Sequence, residues 1–468
     1  MRNVVLFCLD SVRADTFDAA APRLTEAADC TYSGCRAAST WSAPSYASML
    51  TGELPHRHGV HTHDRSLEGI DPRQTLIGDL ESHTALGVST NVFAGSPFGF
   101  DRFFDRFADI SPTRRFPRGL DPAAAGGGRL PAPLEYAVAT LRSDHRLESL
   151  GNGLLGAVDA VTERAPVSKI TDDGASAVVR ESKRQVRAAE EPFVLVCTFM
   201  EAHTPLRQFR GFDESVADVS SRFSTDQYGI WELLGEMSVD PAERESFVQT
   251  RRRLYAAAVD YLDRTIAPFC DWLERETERE TTIVITADHG ENLGYDHENG
   301  YLRHKSSCSE GLLHVPLVVI NPPPGYPAQE PELVSHLDLR ELLVALARED
   351  VLDISRSRVV AEHVGMSAGP EPPARRAYWD RLMRAAYDQS GTRKTVWDSL
   401  GNCTDYRLDP TRPCWQAALD ESVEPPAWVH EHVECDADTA KRTALAGEDP
   451  SPSLEAAVQD RLARLGYV

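Results

Sequence analysis

Residues 282–291 read Thr282-Ile283-Val284-Ile285-Thr286-Ala287-Asp288-His289-Gly290-Glu291. A short run of β-branched residues ends in two side chains with metal-ligand chemistry, and the glycine after them lets the backbone turn sharply. The run is continuous rather than alternating, as strands covered on both faces tend to be. Val4-Val5-Leu6-Phe7-Cys8-Leu9 has the same form and ends in Asp10. Phe193–Cys197 and Val315–Ile320 are two more such runs. Helical patterns separate them, at Tyr255–Asp263 running on to Leu273, and at Leu337–Leu346. Strands alternating with helices predict an α/β fold with a mostly parallel central sheet and helices on both faces.

The polar, Arg-rich stretch 109–190 is expected to be an irregular insertion or a lid. Beyond residue 350, segments such as Arg384–Asp388 and Arg393–Trp397 read as short strands joined by turns. The expected division is a catalytic domain over 1–350 and a smaller C-terminal subdomain over 351–468 with a short antiparallel sheet.

Of the 468 residues, 41% are hydrophobic and 26% charged, so global disorder is excluded. Asp+Glu total 72 against 49 Lys+Arg, a net charge of -23, which argues against nucleic acid or an anionic membrane as partner. Only five of the basic residues are lysine: Lys169, Lys183, Lys305, Lys394 and Lys441. An acidic, lysine-poor chain resembles proteins of salt-in halophiles; a GC-rich genome, which favours Arg over Lys, is the alternative. The nine cysteines form no CxxC pair, and free thiols in a reducing cytoplasm are the simplest reading. The first apolar run is too short for a signal segment and no run reaches membrane-span length, so a cytoplasmic protein without a membrane anchor is expected.

Four polar clusters stand where open α/β sheets place ligands, at strand ends and in the turns after them. Asp10 is placed to hold a cation, or equally to cap the next helix. Ser42, in Thr40-Trp41-Ser42-Ala43-Pro44-Ser45-Tyr46, precedes a helix start with Pro44 in its first turn, where an anion or an attacking oxygen is stabilised. A capping serine reads the same way. Asp288 and His289 combine oxygen and nitrogen, which suits Zn, Mn or Fe better than Ca. His203 in His203-Thr204-Pro205 and the pair His304-Lys305 form the last cluster, and each is also readable as a solvated loop charge.

As a set these motifs resemble the sulfatases of the alkaline phosphatase-like superfamily. The resemblance runs through Asp10, Ser42-x-Pro44-Ser45 continuing to Met49-Leu50-Thr51-Gly52, Pro55–Val60 and Gly99-Phe100-Asp101. It goes on through His203-x-Pro205, Asp288–Glu291, His314–Leu317 and Tyr406–Pro410. It implies an alkaline phosphatase-like fold and a metal-dependent hydrolase of sulfuric esters with Ser42, or its formylglycine form, as nucleophile. Asp10, Asp288 and His289 then match the metal ligands, with Mn or Zn favoured and Ca possible. His203 and Lys305 match catalytic groups, and Asn91 and His304 fall in the substrate pocket. Tyr46 stands where the family has the Arg that accompanies formylglycine, which favours the unmodified alcohol. The implied partner is a small-molecule or glycan sulfate or phosphate ester. Hydrolysis of phosphoric mono- or diesters or of phosphonates is the alternative, with transfer of a phospho-headgroup and a non-catalytic binding protein behind it.

Overall fold

The computed structural model describes residues 1–124, 132–164, 167–235, 238–366, 375–421, 423–447 and 456–465. In chain order the strands are β1 (Asn3–Leu9), β2 (Cys30–Arg36), β3 (Thr84–Ser89), β4 (Arg106–Asp109), β5 (Phe193–Phe199), β6 (Thr281–Thr286), β7 (Asn292–Leu293) and β8 (Leu302–Arg303). They continue with β9 (Leu317–Ile320), β10 (Gln329–Ser335), β11 (Val359–Val364), β12 (Leu382–Tyr387), β13 (Arg393–Asp398), β14 (Cys403–Leu408) and β15 (Gln416–Glu421).

Eight of these form one sheet in the order β10-β2-β9-β6-β1-β5-β3-β4. All neighbours are parallel except those of β9, which runs antiparallel to both β2 and β6. The first strand is the central one: Phe7 pairs with Cys197 of β5 on one side and with Ile285 of β6 on the other. Every residue of β1, β5 and β6 is buried, which explains why their sequences show no alternation.

One face is covered by the long helix Pro241–Glu276. It starts cleanly because Asp240 accepts from the N–H groups of Ala242 and Glu243 at 3.0 and 3.1 Å, with Pro241 in the first turn. Its buried Leu254, Ala258, Leu262, Ile266, Phe269 and Leu273 recur every three to four residues, and Phe269 meets Phe7 of β1 at 5.3 Å between ring centres. Burying one such side chain contributes about 1.5–3 kcal/mol. The other face carries the helix Leu339–Arg348, packed on β1 and β6, and against it the helix Ser42–Thr51.

The five strands β11 to β15 make a second, antiparallel sheet in sequence order, with the helix Ala437–Ala446 on β12 and β13. It is tied to the main sheet next to the site. Glu362 N–H of β11 donates to Ala38 O at 2.9 Å, and Ser39 Oγ donates to Glu362 O at 2.8 Å. The stretch 109–190, expected to be irregular, holds the helices Ala132–Arg142, Arg146–Arg164 and Ala175–Arg187. The last packs on the sheet, against β3 and β5, through Ala177, Val178 and Val186. No described helix is long and apolar enough to cross a membrane.

Candidate active site

β1 and β6 are adjacent and parallel, so the residues that follow them arrive at the same end of the sheet. Asp10 and Asp288 therefore face one another although 278 positions separate them in the chain. Ser11 holds φ at 62°, a left-handed conformation that costs a non-glycine residue of order 1–3 kcal/mol and that collects at functional sites. That turn aims its N–H at Asp288 Oδ1 (3.2 Å) and its hydroxyl at Asp10 Oδ1 (2.8 Å). The amide of His289 also donates to Asp288 Oδ1, at 2.9 Å. Gly290 is required by space: a Cβ there would lie 2.1 Å from Gly311 O. His289 Nδ1 donates to Gly290 O at 2.7 Å, which leaves Nε2 with its lone pair turned into the site. The ligand atoms of Asp10, Asp288 and His289 all lie within 4.8 Å of one another and are buried.

Several features of this trio fit a divalent cation. Asp288 Oδ2 is buried and accepts no hydrogen bond. Burial, with Asp288 next in effect, pushes the Asp10 carboxyl up to about 7, and burial pushes Asp288 up to about 7. Two carboxylates this close and this dry resist ionising together unless a cation offsets them. His289 is held below its ordinary range by burial, so it stays neutral, the form that ligates metal.

Ser42, expected just before a helix start, is the first residue of its helix, with Trp41 at the N-cap, and its hydroxyl does not cap that helix. Instead Ser42 Oγ donates to Asp10 Oδ2 at 3.3 Å, receives Asn91 Nδ2 at 2.9 Å, and lies 3.5 Å from His289 Nε2. Asn91 is oriented by its own loop, since its Oδ1 accepts from Phe93 N–H at 2.8 Å, leaving Nδ2 for Ser42 and Asp10. Ser45, one turn further round, is buried and its hydroxyl meets no partner. Tyr46 is packed edge-on against Phe100, with 5.6 Å between ring centres.

The second rank is built on histidines. The His304 ring lies 4.7 Å from that of His289, and the His203 ring 5.4 Å from that of His304. All three are buried, and burial first, then the neighbouring imidazole, holds His203 and His304 well below 6.5. Lys305 is buried as well; burial, then Arg303 and Arg65, lowers its ammonium to about 7. The structure thus gathers Asp10, Ser42, Asn91, Asp288 and His289 in direct contact. His304 and His203 follow by ring contact, and Lys305 comes next in the chain to His304. Sequence reasoning gave no role to Glu291, whose carboxylate lies 3.6 Å from His304 Nδ1 and 3.4 Å from Arg251. Its only signal was adjacency to the Asp288-His289-Gly290 turn.

The sequence profile described as Sulfatase matches residues 2–348. The chain belongs to the sulfatase family. Among family relatives, the uncharacterized sulfatase YidJ of Escherichia coli (strain K12) is 25% identical over 171 residues, which is 35% of this chain and 33% of the relative. The match thus spans about a third of that relative's length. The fold of this sulfatase family member is similar to that of a phosphonate monoester hydrolase of Agrobacterium radiobacter. The TM-score is 0.58 at 14% identity, over 88% of this chain and 90% of that one. It is also similar to BT4656, solved with its substrate D-glucosamine-2-N,6-O-disulfate. There the TM-score is 0.55 at 15% identity, covering 87% and 91%. Both likenesses support the alkaline phosphatase-like fold.

Proposed function

We propose that this family member is a metal-dependent hydrolase of sulfuric esters in which the unmodified Ser42 is the nucleophile. The observation that carries the reading is the Ser42 hydroxyl, turned away from its helix and held between Asp10, Asn91 and His289. Asp10, Asp288 and His289 are the proposed ligands of one divalent cation, Mn²⁺ or Zn²⁺ by their mixed nitrogen and oxygen donors, with Ca²⁺ the alternative. When bound, such a cation would act as a Lewis acid on the attacking and departing oxygens. Ser42 Oγ passes its proton to Asp10 Oδ2, to which it donates at 3.3 Å, as it attacks the sulfur, and Asn91 Nδ2 and the helix N-terminus stabilise that oxygen. The ester C–O oxygen leaves with a proton from Lys305 or His203, and water then releases the anion from Ser42. Because His203 is neutral in the free protein, Lys305 is the better proton source below pH 7. His304 and Asn91 are proposed to contact the anion. The division into a catalytic domain over 1–350 and a subdomain over 351–468, with 109–190 shaping the pocket for the organic part, belongs to the same proposal. So does adaptation to high salt.

Tyr46, in place of the arginine that accompanies formylglycine, favours a second reading, hydrolysis of phosphoric esters or phosphonates on the same residues. Parallel assay of aryl sulfate, phosphate monoester, phosphate diester and phosphonate in high salt with Mn²⁺ separates the two. Preference for the sulfate is expected; preference for any phosphorus substrate replaces the first reading by the second.

The lowered Lys305 ammonium gives the reaction a pH signature. Its charged form predominates below about 7 and disappears as pH rises through that value. On the free enzyme kcat/KM is expected to fall above pH 7, whereas a bound anion shifts the same limb of kcat upwards. Lys305→Met should lower the plateau about 10²–10⁴-fold and flatten the alkaline limb. An unchanged limb in Lys305→Met removes Lys305 from the proton transfer.

A further inference from the structure

The helices Ala132–Arg142 and Arg146–Arg164 form a hairpin whose packing is inside out for a lone molecule. Its face towards the segment 116–120 is polar. Asn152, fully buried, donates to Phe116 O and Leu120 O at 2.9 and 3.0 Å and accepts from Phe116 N–H at 2.9 Å. Ser149 is fully buried, and Tyr136 OH donates to Ser149 O at 2.5 Å. The outer face is apolar. Leu147, Leu150, Leu154 and Val161 follow one another at spacings of three, four and seven along the longer helix. They are 61–85% exposed. Leu134 and Leu141 repeat the spacing of seven on the shorter helix, 51% and 69% exposed. Of the thirteen exposed large apolar side chains among the described residues, eight lie between Leu134 and Ile170. Three-and-four spacing is the pattern by which one helix seats against another.

We infer that this hairpin is the dimer interface of the protein, its outer stripe packing against the same stripe of a second copy to close a four-helix bundle. Charge favours a second copy over an anionic surface. Residues 132–162 hold four carboxylates (Glu135, Asp144, Glu148, Asp159) against two arginines (Arg142, Arg146), so the hairpin carries no positive excess. Glu148 and Asp159 are already paired, with Arg118 and Arg115. Area sets the strength. Helices of 19 and 11 residues are about 28 and 16 Å long and about 10 Å across, a face of roughly 450 Å². That is about half of the ~800 Å² each partner gives to a standard interface, so the dimer is a weak, reversible one. Each copy carries a net charge of -23, and their repulsion is screened to about 10 Å at 0.1 M salt and about 3 Å at 1 M. Dimerisation therefore strengthens with salt.

The test is sedimentation equilibrium of the full chain from about 1 to 100 µM protein, at about 0.1 M and 2 M KCl. The expected result is a mass that rises from 51.7 kDa towards twice that value, at lower protein concentration in the higher salt. The double substitution Leu150→Glu/Leu154→Glu should hold the mass at 51.7 kDa in both, with the melting curve of the monomer unchanged. Both side chains are already in water, so the fold does not depend on them. A wild type that stays monomeric throughout overturns the inference, as does a dimer that survives the double substitution. Monomeric protein that floats with phosphatidylcholine vesicles would assign the stripe to lipid instead.

Discussion

Ser42→Ala is expected to reduce turnover by at least about 10⁴-fold while the protein still folds and still binds its cation. Loss of a nucleophile alone costs that much because the remaining groups have no attacking atom to act on. The Ser42 side chain is small and makes its hydrogen bonds within the site, to Asp10, Asn91 and His289, so its removal leaves the helix Ser42–Thr51 and the sheet intact. Ser45→Ala is the matched control. It removes a buried hydroxyl one turn further along the same helix, one with no partner, and should change kcat less than about 10-fold, since no reacting atom is lost. Equal and small effects of the two substitutions mean that Ser42 only starts a helix. The mass of the peptide carrying Ser42 reports its chemical form, and the unmodified alcohol is expected.

The second large effect is on metal dependence. Chelation should abolish activity, and Mn²⁺ or Zn²⁺ should restore it with a rise in Tm, because a ligand that binds only the folded state stabilises it. Asp288→Asn should weaken that response at least about 100-fold in cation concentration, beyond the 10–100-fold typical of losing a group that merely orients a ligand. The same substitution has the opposite effect on the metal-free protein. Asp10 and Asp288 are fully buried like charges, so neutralising one relieves their repulsion. Metal-free Asp288→Asn is expected to melt above the metal-free wild type at pH 8, and the loaded wild type above both. If the wild type neither gains Tm with any divalent ion nor loses activity on chelation, the trio is a structural cluster.

Much of this site is legible in the sequence because of how the sheet is built. Asp10 and Asp288-His289 each close a run of apolar residues, and in a parallel sheet all such runs end on the same side. The same logic applied to Ala85-Leu86-Gly87-Val88 would have raised Asn91, three residues past that run, above the minor place it was given. What the sequence hides is the amide's orientation, which comes from the N–H of Phe93. Ser42 was ambiguous because a capping serine and a nucleophile occupy the same position, and only the direction of the hydroxyl separates them. The hairpin over 132–164 was illegible for a different reason. The residues it turns to the segment 116–120 are Ser149 and Asn152 and its exposed leucines face out, so the usual equation of apolar with inside misleads there. The second sheet was visible as short strands, but its contact with the Ala38-Ser39 loop depends on one strand, β11, meeting a backbone more than 300 residues earlier.

The central position of the first strand also has a consequence in time. Residues 3–9 leave the ribosome well before their partners in the sheet, residues 193–199 and 281–286. At 5–20 residues per second, β1 waits roughly 10–40 s for its nearer neighbour to be synthesised. Over that interval a seven-residue segment, buried throughout in the finished protein, has no strand to pair with. Chaperone occupancy of this run should therefore persist on the nascent chain until β5 and β6 have emerged.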